Sequence, residues 1–507
     1  MKICHKILLL ALLLSMSLTA HSQWYTGMSQ KTGLALCIHL GDSSVRLYSP
    51  MQTSAPIPVS SWNREGDNLS IECKSIGLKM SLTQRDGTYS GYWKQGLIKE
   101  NITFFPDDTL FQLRRPQTPQ QPYRFEEETI TVDYTDSQGN LVHLEGTLTY
   151  PRSSDAGRRY PCLVLVSGSG QQNRDEELMQ HKPFLVLADY LASRGIAVLR
   201  YDDRGVGASK GNLDSADTRL FAEDAEAMFN AVKGNIHVNP AQLGIGGHSE
   251  GGAIAPMVAT RNKDVKFVVM LAGQGCKGQE VMLQQNEAIF RANGVSDSLL
   301  AIRMACVREL FSMPLGSTQK DYKAVIDRHT EGLTKEQKES IGLGRGTAAA
   351  FKQQLDSRWM QTFLALDPAE YLTQVSCPIL ALQGAKDCQV IAEPNKKAIV
   401  KLTGKNVHYK VLENLNHLFQ HCTTGSPDEY MLIEETFTRS ETNHETESTD
   451  YIKYLFHNCY RLERNIKSKS YIERNRIAEV GILRIYACEA LALDSEHILS
   501  GKIHAQT

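Results

Sequence analysis

After its N-terminus the 507-residue chain has no apolar run approaching the roughly 20 residues that a membrane-spanning helix requires. Charge of one sign is also missing: 55 Lys and Arg stand against 57 Asp and Glu, a formal net charge of −2. No large basic block interrupts that balance before the last stretch of the chain, so nothing points to a nucleic-acid partner. The eleven cysteines form no CxxC pair, which argues against both a disulfide framework and a zinc site. Several, such as Cys162 and Cys377, border strand-like runs and read as small buried hydrophobes. The glycines of Tyr201-Asp-Asp-Arg-Gly-Val-Gly207 fit neither G-x-x-x-x-G-K-[ST] nor G-x-G-x-x-G, so that segment does not announce a nucleotide site.

What is present begins with an export signal. Lys2 and Lys6 precede an apolar run from Ile7 to Leu14, followed by small and polar residues ending in Ala20-His21-Ser22-Gln23. That order is a secretory signal peptide over residues 1–22. It implies a secreted or periplasmic protein with no stable membrane insertion after signal removal. Cys4 lies ahead of the apolar run, which is the wrong place for a lipid-modified cysteine.

Composition is that of ordinary globular cores, 41% hydrophobic and 22% charged, and the length suits more than one domain. Residues 23–112 hold short alternating segments, among them Leu69-Ser-Ile-Glu-Cys73 and Leu78-Lys-Met-Ser-Leu82, broken by Gly, Asp-Gly and Pro. Period-two alternation of this kind predicts a small all-β domain. Residues 113–122, rich in Pro and Gln, read as an extended linker.

From residue 123 to 437 the character changes. A hairpin (Glu128–Val132 with Val142–Thr149) leads into short apolar strands at Cys162–Val166, Ala197–Arg200, Leu243–Gly246, Phe267–Leu271, Ile379–Leu382 and His408–Leu412. Helical stretches such as Phe184–Arg194 and Thr218–Val232 alternate with them, which predicts a mostly parallel sheet with helices on both faces. Residues 274–371 are helical in pattern without a strong strand, as in a cap inserted over the sheet's carboxyl edge.

The chemistry centres on Gly247-His248-Ser249-Glu250-Gly251, a G-x-S-x-G between a strand and an Ala-rich helix start. Glycines flank the serine because the chain turns sharply there and side chains would collide. Ser249 is the candidate nucleophile. A serine hydroxyl needs a base, itself held by an acid, in the order Ser, Asp, His. Asp387 follows a strand and a Gly turn, and His417 follows the strand His408–Leu412, so both fall at the sheet edge where Ser249 is expected. Glu413 and His421 are the nearest rivals.

Oxyanion donors are expected from the backbone N–H of Glu250 and from the loop Ser167-Gly-Ser-Gly170, with Ser169 first and Gly170 next. Arg204 and the pair Arg174-Asp175 read as loop braces.

Together, Ser167-Gly-Ser-Gly170 with Asn173-Arg-Asp-Glu176, Tyr201-Asp-Asp-Arg-Gly-Val-Gly207, Gly247-His-Ser-Glu-Gly-Gly252 and Asn416-His-Leu-Phe419 resemble the secreted EstD-type carboxylesterases. These belong to the α/β-hydrolase superfamily group of serine aminopeptidases and dienelactone-hydrolase-like enzymes. The resemblance covers about residues 123–435. It implies an α/β-hydrolase fold preceded by an accessory β domain, and hydrolysis of small or medium acyl esters through an acyl-enzyme. No metal or organic cofactor is implied, and the partner is a small-molecule ester. It maps nucleophile, acid and base onto Ser249, Asp387 and His417.

Three readings stay open: the esterase, a peptidase or acyltransferase of the same fold, and a glycan- or lipid-binding protein. The chain departs from the family pattern at residues 438–507, where Thr438–Asp450 is polar and Arg461, Arg464, Lys467 and Lys469 follow. That tail is expected to be the least packed part of the mature chain, and the oligomeric state is not legible.

Overall fold

The structure, a computed structural model, describes residues 23–438 apart from 31–32, 42, 53–55, 96–97, 154–156 and 214. The expected signal peptide and the tail from residue 439 lie outside the described residues. Among those described, no helix is long and apolar enough to cross a membrane.

The N-terminal sheet contains β1 (Gln23–Met28), β2 (Ala35–Leu40), β3 (Val45–Tyr48), β4 (Ser61–Glu65), β5 (Asn68–Cys73), β6 (Leu78–Arg85), β7 (Thr88–Gln95) and β8 (Ile98–Asp107). They form one antiparallel sheet in the order β3-β2-β1-β8-β7-β6-β5-β4. Alternation does the work expected of it: Leu69, Ile71 and Cys73 are buried while Asn68 and Ser70 are exposed. The buried residues join Ile38, Leu47, Tyr89 and Phe104 in one core. Two strands had no counterpart in the sequence reading. β4 is exposed at every position and has no apolar alternation to read, and β1, at the start of the described residues, pairs with both β2 and β8.

Residues 113–122 are more than a spacer. Arg115 donates from Nε to the Met179 carbonyl at 3.1 Å and from its two Nη atoms to Ile433 (2.9 Å) and Met431 (3.0 Å). The Gln117 carboxamide accepts from the amides of Thr436 and Phe437 and donates to the Phe437 carbonyl. The irregular segment 431–437 has no strand to bond its backbone to, and these side chains satisfy it instead.

The second sheet contains β9 (Phe125–Thr135), β10 (Leu141–Pro151), β11 (Tyr160–Val166), β12 (Ala197–Tyr201), β13 (Val238–His248), β14 (Val268–Leu271), β15 (Ile379–Gly384) and β16 (Val407–Leu412). Its order is β16-β15-β14-β13-β11-β12-β10-β9, antiparallel at β9, β10 and β12 and parallel from β12 onward. The interior strands are buried on both faces, hence continuous runs such as Val268-Val-Met-Leu271. Helices α1 (Pro183–Ala192), α2 (Thr218–Lys233) and α3 (Gly251–Arg261) cover the sheet. Met228, Phe229, Ile254 and Val258 pack with Leu163's neighbours Cys162 and Val164 in the main core. The exchange of β11 and β12 in an otherwise sequential, mostly parallel sheet, with a serine turn after β13, defines the α/β-hydrolase fold.

Between β14 and β15 every regular element is a helix: α4 (Gly278–Ala292), α5 (Asp297–Phe311), α6 (Gln319–His329), α7 (Lys335–Ser340), α8 (Thr347–Asp356), α9 (Arg358–Ala365) and α10 (Ala369–Leu372). Thr318 and Thr334 start α6 and α7 with reciprocal capping boxes. The helices share a core of their own around Leu310, Tyr322, Ile326 and Met360. α11 (Ala392–Thr403) returns the chain to the sheet through Ile399.

Candidate active site

β13 ends at His248 and α3 begins at Gly251, so Ser249 sits in the turn, at φ +54°. A left-handed conformation in a non-glycine residue costs of order 1–3 kcal/mol and persists only where the surroundings enforce it. Here the flanks do so. A Cβ on Gly247 would lie 2.3 Å from the Gly251 carbonyl, and one on Gly251 would lie 2.2 Å from the Val166 oxygen. The Ser249 amide donates to the Leu271 carbonyl at 2.8 Å, which anchors the turn to β14.

Asp387 follows β15, and its amide closes a turn on the Gly384 carbonyl at 3.2 Å. Its carboxylate is fully engaged: Oδ1 accepts from the amides of Gln389 (2.7 Å) and Val390 (2.8 Å), Oδ2 from Gln383 Nε2 (2.5 Å) and His417 Nδ1 (2.7 Å). The His417 loop after β16 is shaped by buried Asn416, whose Oδ1 accepts from the amides of Leu418 and Gln420. Gly384 lets this loop come close, since a Cβ there would lie 2.4 Å from the carbonyls of Leu415 and Asn416. With Nδ1–H given to Asp387, the Nε2 lone pair of His417 is the basic one.

Ser249 and His417 line one cavity of about 290 Å³ together with Met282, Trp359 and Phe363 of the cap. Among the described residues the Ser249 hydroxyl has no hydrogen bond, a state common in ligand-free hydrolases, whose catalytic contacts tighten with substrate.

The expected oxyanion donors separate. Ser169 and Glu250 line the cavity, and their amides donate to no protein group among the described residues. Gly170, at φ +106°, is not part of the cavity wall, and the neighbouring Gly168 amide is taken by Glu176 Oε1 at 2.6 Å. The loop is held from below by Asp203, which accepts from Ser167 Oγ (2.8 Å) and the Gln172 amide (3.0 Å). Burial pushes the Asp203 carboxyl well above the usual carboxylate range.

Arg204 and Arg174 are braces away from the cavity. Arg204, 1% exposed, bonds both oxygens of Asp224 and Oδ2 of Asp136. Arg174 bonds Asp202 and Glu145, while Asp175 pairs with Arg200. His421 lies outside the cavity with Glu435, and Glu413 is not in the cavity wall either.

Several residues at the site had no role in the sequence reading. The Glu250 carboxylate, buried and raised in pKa by that burial, accepts from Thr218 Oγ1 (2.5 Å) and from Trp359 Nε1 (2.9 and 3.0 Å), which ties the cap to the serine turn. His248 and Glu176 form a second histidine–carboxylate pair, 2.9 Å apart. Both were visible as letters of the motifs, but neither spacing nor pattern connects residues 72 positions apart.

Fold and site together describe an α/β hydrolase with a serine at its elbow. A family model described as serine aminopeptidase, S33, matches residues 181–421. Esterase EstD of Thermotoga maritima is 28% identical over 330 residues, covering 65% of this chain and 68% of that protein. Among solved structures, the α/β hydrolase GrgF from Penicillium sp. sh18 is 18% identical with a TM-score of 0.39, over 67% of this chain and 98% of its own. Est1E from Butyrivibrio proteoclasticus, solved with ferulic acid bound, is 16% identical with a TM-score of 0.35, over 56% and 90%.

Proposed function

We propose that this chain is a carboxylesterase-type serine hydrolase that cleaves neutral esters of small or medium acyl groups. Ser249 Oγ attacks the ester carbonyl as its proton passes to His417 Nε2, and Asp387 stabilises the resulting imidazolium. The carbonyl oxygen, now negative, meets the amides of Ser169 and Glu250, the latter at the N-terminus of α3 where the helix dipole adds to its effect. The alcohol leaves with the proton from His417. Water, deprotonated by the same imidazole, then releases the acid and restores Ser249.

The observation that carries this reading is that His417, bonded to Asp387, shares one cavity with a serine held at positive φ. Among the described residues the cavity wall has no lysine or arginine to hold an anionic substrate, which fits a neutral ester, and its two carboxylates, Glu176 and Glu250, bond the oxyanion loop and the cap. The likeness to an esterase supports an ester as the substrate.

A panel of p-nitrophenyl esters and aminoacyl anilides, with fluorophosphonate labelling of wild type and Ser249→Ala, tests the proposal. Ester turnover with label only on the wild type is the expected result. Anilide turnover matching the esters, or label retained in Ser249→Ala, overturns it. We read residues 1–22 as an export signal, and an N-terminus beginning near Gln23 in the mature protein is the corresponding check.

A further inference from the structure

His248 is the last residue of β13, immediately before the nucleophile, is 7% exposed, and uses both ring nitrogens. Nδ1 lies 2.9 Å from Glu176 Oε1, and Nε2 lies 2.9 Å from the backbone carbonyl of His417. Neither partner has a proton to give. A peptide carbonyl only accepts, and so does the ionised Glu176 carboxylate, whose Oε1 also receives the Gly168 N–H at 2.6 Å. Both contacts are hydrogen bonds only if the imidazole has a proton on each nitrogen.

Three loops meet at this pair. Glu176 grips the oxyanion loop at Gly168, one residue before the proposed donor Ser169. His248 belongs to the serine turn, and its other nitrogen holds the loop of the general base at the peptide of His417 itself. Glu176 reaches this position from φ +50°, one of three non-glycine positive φ values between residues 176 and 180. Strain of that kind is sustained only by contacts that over-determine the backbone.

We propose that Glu176 and a doubly protonated His248 form a positioning couple that sets the oxyanion loop, the nucleophile turn and the His417 loop in register. This rests on the reading of Ser249 and His417 as nucleophile and base. The charged and aromatic groups facing His248 are Glu176, His417 and Asp387, with the Phe419 ring against its edge. Neither member of the couple exchanges a proton with substrate. Their effect is on where the oxyanion donor stands when charge develops, which is felt in turnover more than in ground-state binding.

The couple also makes a prediction about protonation that holds without any substrate. Burial alone works against a charged His248, but the charge and hydrogen bond of Glu176 and the His417 carbonyl outweigh it and raise its pKa above the ordinary value.

Two measurements test the proposal. In wild-type protein with ¹⁵N-labelled histidine, one ring, assigned by its loss in His248→Gln, is expected to show protons on both nitrogens at pH 7. A single ring proton on His248 at that pH overturns the proposal, whether or not the chain proves to be an esterase. In Glu176→Gln, kcat per site titrated by fluorophosphonate is expected to fall at least about tenfold, short of the roughly 10²–10³-fold lost when an oxyanion donor is removed. KM is expected to stay within about twofold. Wild-type kcat in that variant, or a loss confined to KM, also overturns it. Should Glu176→Gln fail to fold, the wild-type spectrum alone decides.

Discussion

Asp387→Asn changes one atom, and the surrounding bonds dictate which way the new amide points. Oδ1 receives two backbone N–H groups, from Gln389 and Val390, so the variant's carbonyl oxygen must stay there. The NH₂ then replaces Oδ2, where it faces His417 Nδ1 at 2.7 Å and Gln383 Nε2 at 2.5 Å. Turning the Gln383 amide over offers no escape, because its Nε2 also donates to the Val390 carbonyl at 2.8 Å. The imidazole responds by accepting at Nδ1 and placing its proton on Nε2, toward the serine. In that tautomer it is no base. The expected loss in kcat is on the order of 10⁴, about 5 kcal/mol of transition-state stabilisation. The opposed donors at Gln383 cost about 1–3 kcal/mol of stability as well. Turnover of p-nitrophenyl acetate per folded protein measures the first, and a urea midpoint the second. Activity within tenfold of wild type would refute the tautomer argument, and with it the assignment of Asp387 as the orienting acid.

Ser249→Ala is expected to lose about 10³-fold or more in turnover while its urea midpoint stays near wild type, and retained turnover would remove Ser249 from the mechanism. Gly251→Ala places a Cβ 2.2 Å from the Val166 oxygen and 2.6 Å from that of Ser167, backbone atoms that cannot step aside. A destabilisation of about 3 kcal/mol or more and a large fall in kcat are expected, and a silent variant would contradict the packing of the elbow. His181, 1% exposed, has its pKa lowered to about 4 by burial, with Arg115 adding to the effect. The native state then binds fewer protons than the unfolded chain as pH falls from the ordinary histidine value, near 6.5, toward 4. Stability should decline across that window by up to about 3 kcal/mol. Urea midpoints for wild type and His181→Gln between pH 7 and pH 4 check this, since the variant should lack that share of the decline.

What could be read in advance, and what could not, follows from the range of the interactions. Strands β11, β14 and β15 announce themselves because burial on both faces leaves them almost wholly apolar, and the elbow does so because close approach at Gly247 and Gly251 admits no side chain. Ser249, Asp387 and His417 could be placed relative to one another because each follows a strand of one parallel sheet, whose carboxyl ends share an edge. That inference needs only strand order. The register between loops is another matter. Arg115 bonds carbonyls 316 and 318 positions away, contacts that the composition by which residues 113–122 read as an extended linker does not announce. Gly170 and Ser169 are adjacent glycine-loop candidates, yet of the two only Ser169 lines the cavity, next to a Gly168 amide bonded to Glu176. That glutamate stands at positive φ, a state its residue type does not advertise. Local rules therefore point to the proposed reacting groups, whereas the bonds that hold their loops together join residues that no short stretch of sequence contains.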